Sequence, residues 1–165
     1  MSNVINFITR LSNQRILILF IIIGILAVPF FAYASLGDDE VSAKEDQIYM
    51  NGALRTTSNE AYTVHKITAP NGLIVREYVS STGKVFAVSW QGPFFPNLQQ
   101  LLGRYFDQFS QASKTRNNNS PRIRGPLMIQ QPGLVVQSSG HMRAYFGRAY
   151  IPDMVPLGMD IEEVQ

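Results

Sequence analysis

Leu73 to Trp90 is the stretch that most restricts what this chain can fold into. It reads Leu-Ile-Val-Arg-Glu-Tyr-Val-Ser, then Ser-Thr-Gly, then Lys-Val-Phe-Ala-Val-Ser-Trp. Two runs rich in β-branched and aromatic residues flank a three-residue break with glycine last, the pattern of a β-hairpin with a left-handed final loop residue. With Ser80 facing Lys84, the register pairs Tyr78 with Phe86, Arg76 with Val88 and Ile74 with Trp90. One face is then aromatic and aliphatic, with a single arginine set into it.

The flanking residues extend this hairpin. Ala61 to Thr68 alternates as a strand, and Pro70-Asn71-Gly72 supplies the positive φ of a tight turn. A two-residue loop there places Lys66 opposite Glu77, an opposite-charge cross-strand pair. Gln91 to Pro96 cannot continue a central strand, because proline cannot donate to the ladder. Asn97 is suited to cap a helix, and Leu98, Leu101, Leu102, Tyr105, Phe106 and Phe109 then recur at helical spacing as far as Ala112. Its polar side lacks the lysines and arginines of a membrane-surface helix, so the helix is expected to cover the aromatic face of the meander. Lys114 to Arg124 reads as a polar, basic loop and Leu127 to Gln130 as a short strand.

A second hairpin is expected from Leu134–Ser138 and His141–Phe146 around Ser139-Gly140. Its alternation assigns Met142, Ala144, Phe146 and Tyr150 to the core. The fold class is therefore α+β: an antiparallel β-meander, one amphipathic helix, then a β-hairpin, in a single small domain. The expected organisation is a signal peptide over residues 1–34, an extended acidic arm over 35–59, the α+β domain over 60–152 and a tail over 153–165.

The first segment assigns an address. Arg10 and Arg15 precede the apolar run Ile16 to Phe31, and Ala32-Tyr33-Ala34 suits a signal peptidase. The alternative is an uncleaved anchor, for which 16–31 is short against the roughly 20 residues of a spanning helix. The chain is expected to be periplasmic or secreted, touching a membrane only through residues 16–31 if these are retained. It has no cysteine, so no disulfide staples the exported fold and the core must hold it.

Without Arg10 and Arg15 the chain carries 12 basic and 12 acidic residues. Neutrality argues against a nucleic-acid binder. The charges are unevenly placed, with acids at both ends and 11 basic residues against Glu60, Glu77 and Asp107 between Arg55 and Arg148. Such a middle could face an anionic envelope partner: a glycan, a lipid head group or an acidic protein. The acidic ends folding back over it would neutralise it equally well.

No motif for a nucleotide, a phosphate loop, a metal or a nucleophile elbow is present, so no cofactor, metal site or catalytic residue is assigned. With Glu77 given to Lys66, a pair of catalytic carboxylates is not expected. Two clusters remain. His141, Arg143 and Tyr145 fall on one side of the last hairpin about 7 Å apart, with Arg148 near them. His65, Arg76, Tyr78 and Trp90 fall on the meander, where a guanidinium among rings could hold a carboxylate or sulfate. A solvated strand face and a satisfied core histidine account for the same residues without a ligand.

Tyr62-Thr63-Val64, Asn71-Gly72, Val75-Arg76-Glu77-Tyr78-Val79, Val85 to Pro93 and Gly140-His141-Met142-Arg143-Ala144 resemble an uncharacterised bacterial exported-protein family, domain of unknown function number 2844. The resemblance runs from about Ala34 to Pro156. It implies an exported protein of Gram-negative bacteria and carries no activity or ligand. The leading expectation is a non-enzymatic binding module of the envelope. The alternative is a small envelope enzyme with His141 as general base and Arg143 as anion holder, acting on an anionic or glycan substrate.

Overall fold

A computed structural model describes residues 36–40, 42–119 and 125–165. The expected signal peptide, Ser35 and the end of the expected basic loop (120–124) lie outside the described residues.

Seven strands form one antiparallel sheet: β1 (Ala53–Ser58), β2 (Tyr62–Thr68), β3 (Ile74–Ser80), β4 (Val85–Gly92), β5 (Leu127–Gln131), β6 (Leu134–His141) and β7 (Ala144–Tyr150). Their spatial order is β1-β2-β3-β4-β7-β6-β5, so the meander and the second hairpin meet where β4 pairs with β7. The helices are α1 (Ser42–Tyr49), α2 (Leu98–Leu102) and α3 (Phe106–Asn119), the last two joined by a 3-10 turn at Gly103–Tyr105. The α+β class is as read from the sequence. Asn97 caps α2 as expected, its Oδ1 accepting from the backbone N–H groups of Gln99 (3.1 Å) and Gln100 (3.3 Å).

Both loops of the meander have three residues. Ala69 N–H donates to the Leu73 carbonyl (2.8 Å) around Pro70-Asn71-Gly72, where Gly72 takes φ +87°. This odd loop shifts the expected register by one. Lys66 lies opposite Arg76 and Glu77 opposite His65, so the anticipated Lys66–Glu77 pair does not form.

In the next hairpin Ser80 N–H donates to the Lys84 carbonyl (2.9 Å), as read. The pairing then slips: Val79 faces Val85, and Tyr78 faces Ala87. Phe86 is the extra residue of a β-bulge, and beyond it Arg76 pairs with Ser89 and Val75 with Trp90. The single aromatic face expected from strict alternation is thereby divided between the two sides of the sheet.

Val75, Val79, Val85, Val88, Trp90, Val136 and Ala149 face Leu98, Leu101, Leu102 and Phe109 of the helical layer. Tyr78, Phe86 and Ala87 face the other way, against Tyr62, Val64, Tyr150, Met159, Ile161 and Val164. Two covered faces explain why every residue of Val85–Trp90 is buried. The second cover is the C-terminal segment, which is no loose tail. Its 3-10 turns Pro152–Met154 and Ile161–Glu163 lay Ile161 and Val164 on the sheet, and Tyr78 Oη accepts the Gln165 N–H (3.1 Å).

The expected extended arm instead holds α1 and the edge strand β1. β-Branched Thr56 and Thr57 suit an edge, and β2 supplies partners for their backbone groups. Leu36 is fully buried. Helix α3 runs past Ala112 into the expected loop because no glycine or proline stops it before Pro121. In the second hairpin β6 continues to His141, which pairs with Ala144, and Met142–Arg143 form the turn with Arg143 at φ +67°. Met142 and Phe146, read as core, are exposed.

Candidate functional site

The altered turn disperses the first predicted cluster. His141 ends β6, Arg143 sits in the turn and Tyr145 lies on β7, so they do not share one strand. His141 is exposed, and its Nδ1–H donates to the Met142 carbonyl (3.2 Å). Tyr145 packs edge-on against Phe95, ring centres 5.9 Å apart. Arg148 is fully engaged elsewhere. Its Nε donates to Gln137 Oε1 (2.7 Å), Nη1 to the Ile161 carbonyl (2.8 Å) and Nη2 to Glu162 Oε1 (2.7 Å). Arg148 thus pins the C-terminal segment to the sheet.

The second cluster is divided by the sheet itself. His65 and Trp90 face the helical layer, while Arg76 and Tyr78 face the C-terminal segment. His65 Nε2–H donates to Glu40 Oε1 (3.1 Å), and Nδ1 is hydrogen-bonded to Thr56 Oγ1 (2.9 Å). Arg76 Nη1, Ser89 Oγ and Trp90 Nε1 are buried with no hydrogen-bond partner among the described residues.

On its face of the sheet the C-terminal segment packs over Tyr62, Val64, Tyr78, Phe86, Ala87 and Tyr150. Beside it opens a cleft of about 560 Å³, lined by Gln91, Met128, Gln137, Phe146, Arg148 and Gln165 among others. Phe146 and Met128 are 55% and 58% exposed in its wall, an apolar surface with amides at its margin, the composition of a small-molecule site. Trp90 and Gly147 also line it. A Cβ on Gly147 would stand 2.4 Å from Trp90 Cζ2 and 2.6 Å from the Gln137 carbonyl oxygen, so only glycine lets the indole lie against β7.

Sequence reasoning missed one polar cluster. Asp46 of α1 and Glu77 of β3 are each 1% exposed, and their carboxyls interact directly, a contact that becomes a hydrogen bond only when one carries a proton. Gln100 of α2 also donates to Asp46 Oδ1. Burial pushes Asp46 up to about 6, with Glu45 adding to the rise, and burial followed by the charge of Asp46 pushes Glu77 well above the usual carboxylate range. Val75-x-Glu77-x-Val79 was the available signal, since alternation alone puts Glu77 on an apolar face. Closed to solvent, the pair joins α1 to the sheet. No group of three metal-ligating side chains occurs among the described residues.

Residues 32–164 match the family model described as a protein of unknown function, DUF2844. No curated protein and no solved structure matches the chain.

Proposed function

The chain belongs to the DUF2844 family of proteins of unknown function, and from that premise we propose that it is an exported, non-catalytic binding module of the bacterial envelope whose ligand lies in the cleft beside the C-terminal segment. The observation that carries this reading is the cleft itself: about 560 Å³ of space walled by exposed Phe146 and Met128 on a rigid sheet. The placement of the titratable groups favours binding over catalysis. His141 stands on an open turn, the Asp46–Glu77 pair is closed to solvent, and Arg148 is committed to the protein. The address rests on the apolar run 16–31 and the Ala32-Tyr33-Ala34 triplet.

Trp90 is the single tryptophan and borders the cleft from the helical side of the sheet, next to Gln91, so its fluorescence senses occupancy. Titration of the full-length chain with a short-chain alkyl glycoside, below its micellar concentration, gives a saturable change in Trp90 emission. Phe146→Ala weakens that binding without moving the melting temperature. A response that never saturates, or one unaltered in Phe146→Ala, refutes the cleft as the site. Fractionation of cells expressing the tagged chain tests export, and recovery in the cytoplasm overturns the address.

A further inference from the structure

The Pro70-Asn71-Gly72 loop and the bulge at Phe86 together align a row of residues on the face that carries the cleft. Successive strand pairings place Lys66 opposite Arg76, Arg76 opposite Ser89, Ser89 opposite Arg148 and Arg148 opposite Gln137. Direct cross-strand neighbours on one face have Cβ atoms about 5 Å apart. Three cations therefore stand in one row across the sheet, and Arg148 alone of the three has an ion pair, with Glu162.

Lys66 and Arg76 face each other with like charge, which is unfavourable unless something compensates it. Neither has an ion-pair partner among the described residues. Glu77, the acid nearest in sequence to Arg76, points to the opposite side of the sheet. Arg76 Nη1 is buried without a partner, and beside it Ser89, wholly buried, holds a hydroxyl that also has none. A buried donor left unmet in this way is destabilising. Two unmet donors side by side, next to an uncompensated ammonium, present the hydrogen-bonding complement of an anion with at least two oxygens. One oxygen can accept from both Arg76 and Ser89, and another from Lys66.

We propose that Lys66, Arg76 and Ser89 form an oxyanion site, taking the carboxylate or phosphate head of an amphiphilic ligand whose apolar part lies in the cleft. The site rests on the cleft reading for the body of the ligand and on independent residues for its head. The two are neighbours on one face of the sheet. Gln91 and Arg148 both line the cleft; Gln91 is two residues from Ser89 on β4, and Arg148 is the β7 partner of Ser89. Gln165, which also lines the cleft, bonds Tyr78, two residues from Arg76. An acidic lipid head group and an acidic sugar share this chemistry.

The test compares inorganic phosphate with octyl phosphate on the full-length chain at neutral pH and low salt, followed by backbone and guanidinium NMR shifts. Phosphate is expected to shift Arg76, Ser89 and Lys66 selectively, with octyl phosphate binding tighter. Arg76→Gln weakens both at least ~10-fold, the loss of a charge-assisted hydrogen bond. Ser89→Ala removes a hydroxyl that has no protein partner, so it leaves folding intact and still weakens phosphate severalfold. Phe146→Ala abolishes only the advantage of the octyl chain. Phosphate shifts located elsewhere, or affinities unchanged in both Arg76→Gln and Ser89→Ala, overturn the oxyanion site, and water then fills those donors. If phosphate binds at Arg76 while the octyl chain adds nothing, the oxyanion site stands and the cleft reading falls. If a neutral octyl glycoside binds and phosphate does not, the oxyanion site falls and the cleft stands. Phosphatidylglycerol vesicles and an oligouronate then separate lipid from glycan as the source of the anion.

Discussion

Stability should fall as pH rises from 4 to 7, against the usual behaviour of proteins whose carboxylates are paired with cations. The cause is the pair Asp46–Glu77. Asp46 is held at about 6 in the folded chain against an ordinary 3.8. A separation of about 2 pH units corresponds to about 3 kcal/mol. The folded state keeps the proton longer than the unfolded chain does, so the slope of stability with pH is negative across that interval. The contribution is fully present below pH ~4, declines through pH ~6 and is absent above it. Glu77, pushed well above its ordinary range by burial and by Asp46, acts in the same direction and extends the loss to higher pH. Urea unfolding of the full-length chain at pH 4, 5, 6 and 7, followed by Trp90 fluorescence, measures the effect directly. Asp46→Asn should remove the part of the slope due to Asp46 and to its charge on Glu77, and leave the part due to the burial of Glu77. Asp46→Asn combined with Glu77→Gln should be flat and more stable than wild type at pH 7. Because Asp46 belongs to α1, amide exchange in residues 42–50 should accelerate before the strands respond. A wild-type stability that climbs between pH 4 and 7, or a slope that survives in the double variant, refutes the reasoning.

Three further substitutions probe the packing around the candidate site. Gly147→Ala sets a methyl 2.4 Å from the Trp90 ring and 2.6 Å from a β6 carbonyl. This should cost about 1–3 kcal/mol and shift Trp90 emission, both read in one denaturation experiment. Arg148→Ala removes the bonds to Gln137, the Ile161 carbonyl and Glu162. It should lower stability by about 2 kcal/mol and raise proteolytic sensitivity within residues 153–165, measured by limited proteolysis. Asn97→Ala strips the cap of α2 and should lower the urea midpoint by an amount equivalent to about 1 kcal/mol.

The elements that hydrophobic period and turn chemistry specify were readable from the chain: the three strands of the meander, the capped helix after Pro96, and the glycine-ended loops. What sequence pattern does not carry is the count of residues in a loop or a bulge. Pro70-Asn71-Gly72 supports two- or three-residue loops alike, and the difference decides whether Glu77 meets Lys66 or His65. Nothing local marks Phe86 as an extra residue, because Phe86 and Ala87 each fit a buried strand. The hydrophobic pattern of the C-terminal segment is too short and too interrupted by proline to announce a cover, although Val164 is among the most buried of the described residues. Of the predicted site residues, Arg76 and Arg148 do lie on one face and His65 is indeed held by partners. Their grouping failed because a one-residue register error exchanges the two faces of a strand.

That same extra residue decides what the sheet can bind. Under strict alternation Arg76 would oppose Val88, and Trp90 would stand opposite Ile74 on the face of the C-terminal segment. Ser89 would then turn toward the helices. Since β7 pairs with β4 beyond the bulge, Arg148 would have lost its place in line with Arg76 as well. With Phe86 counted out of register, Trp90 moves beneath the helical layer and takes Gly147 as its neighbour. The face it vacates is left to small and polar residues, Ser89 and Gln91, flanked by guanidinium groups. A large ring is thus removed from the face where a ligand has to fit, and the cations of β3 and β7 are brought into one row. The bulge serves packing and recognition together, because burying the tryptophan and opening the cleft are two results of one shift in pairing.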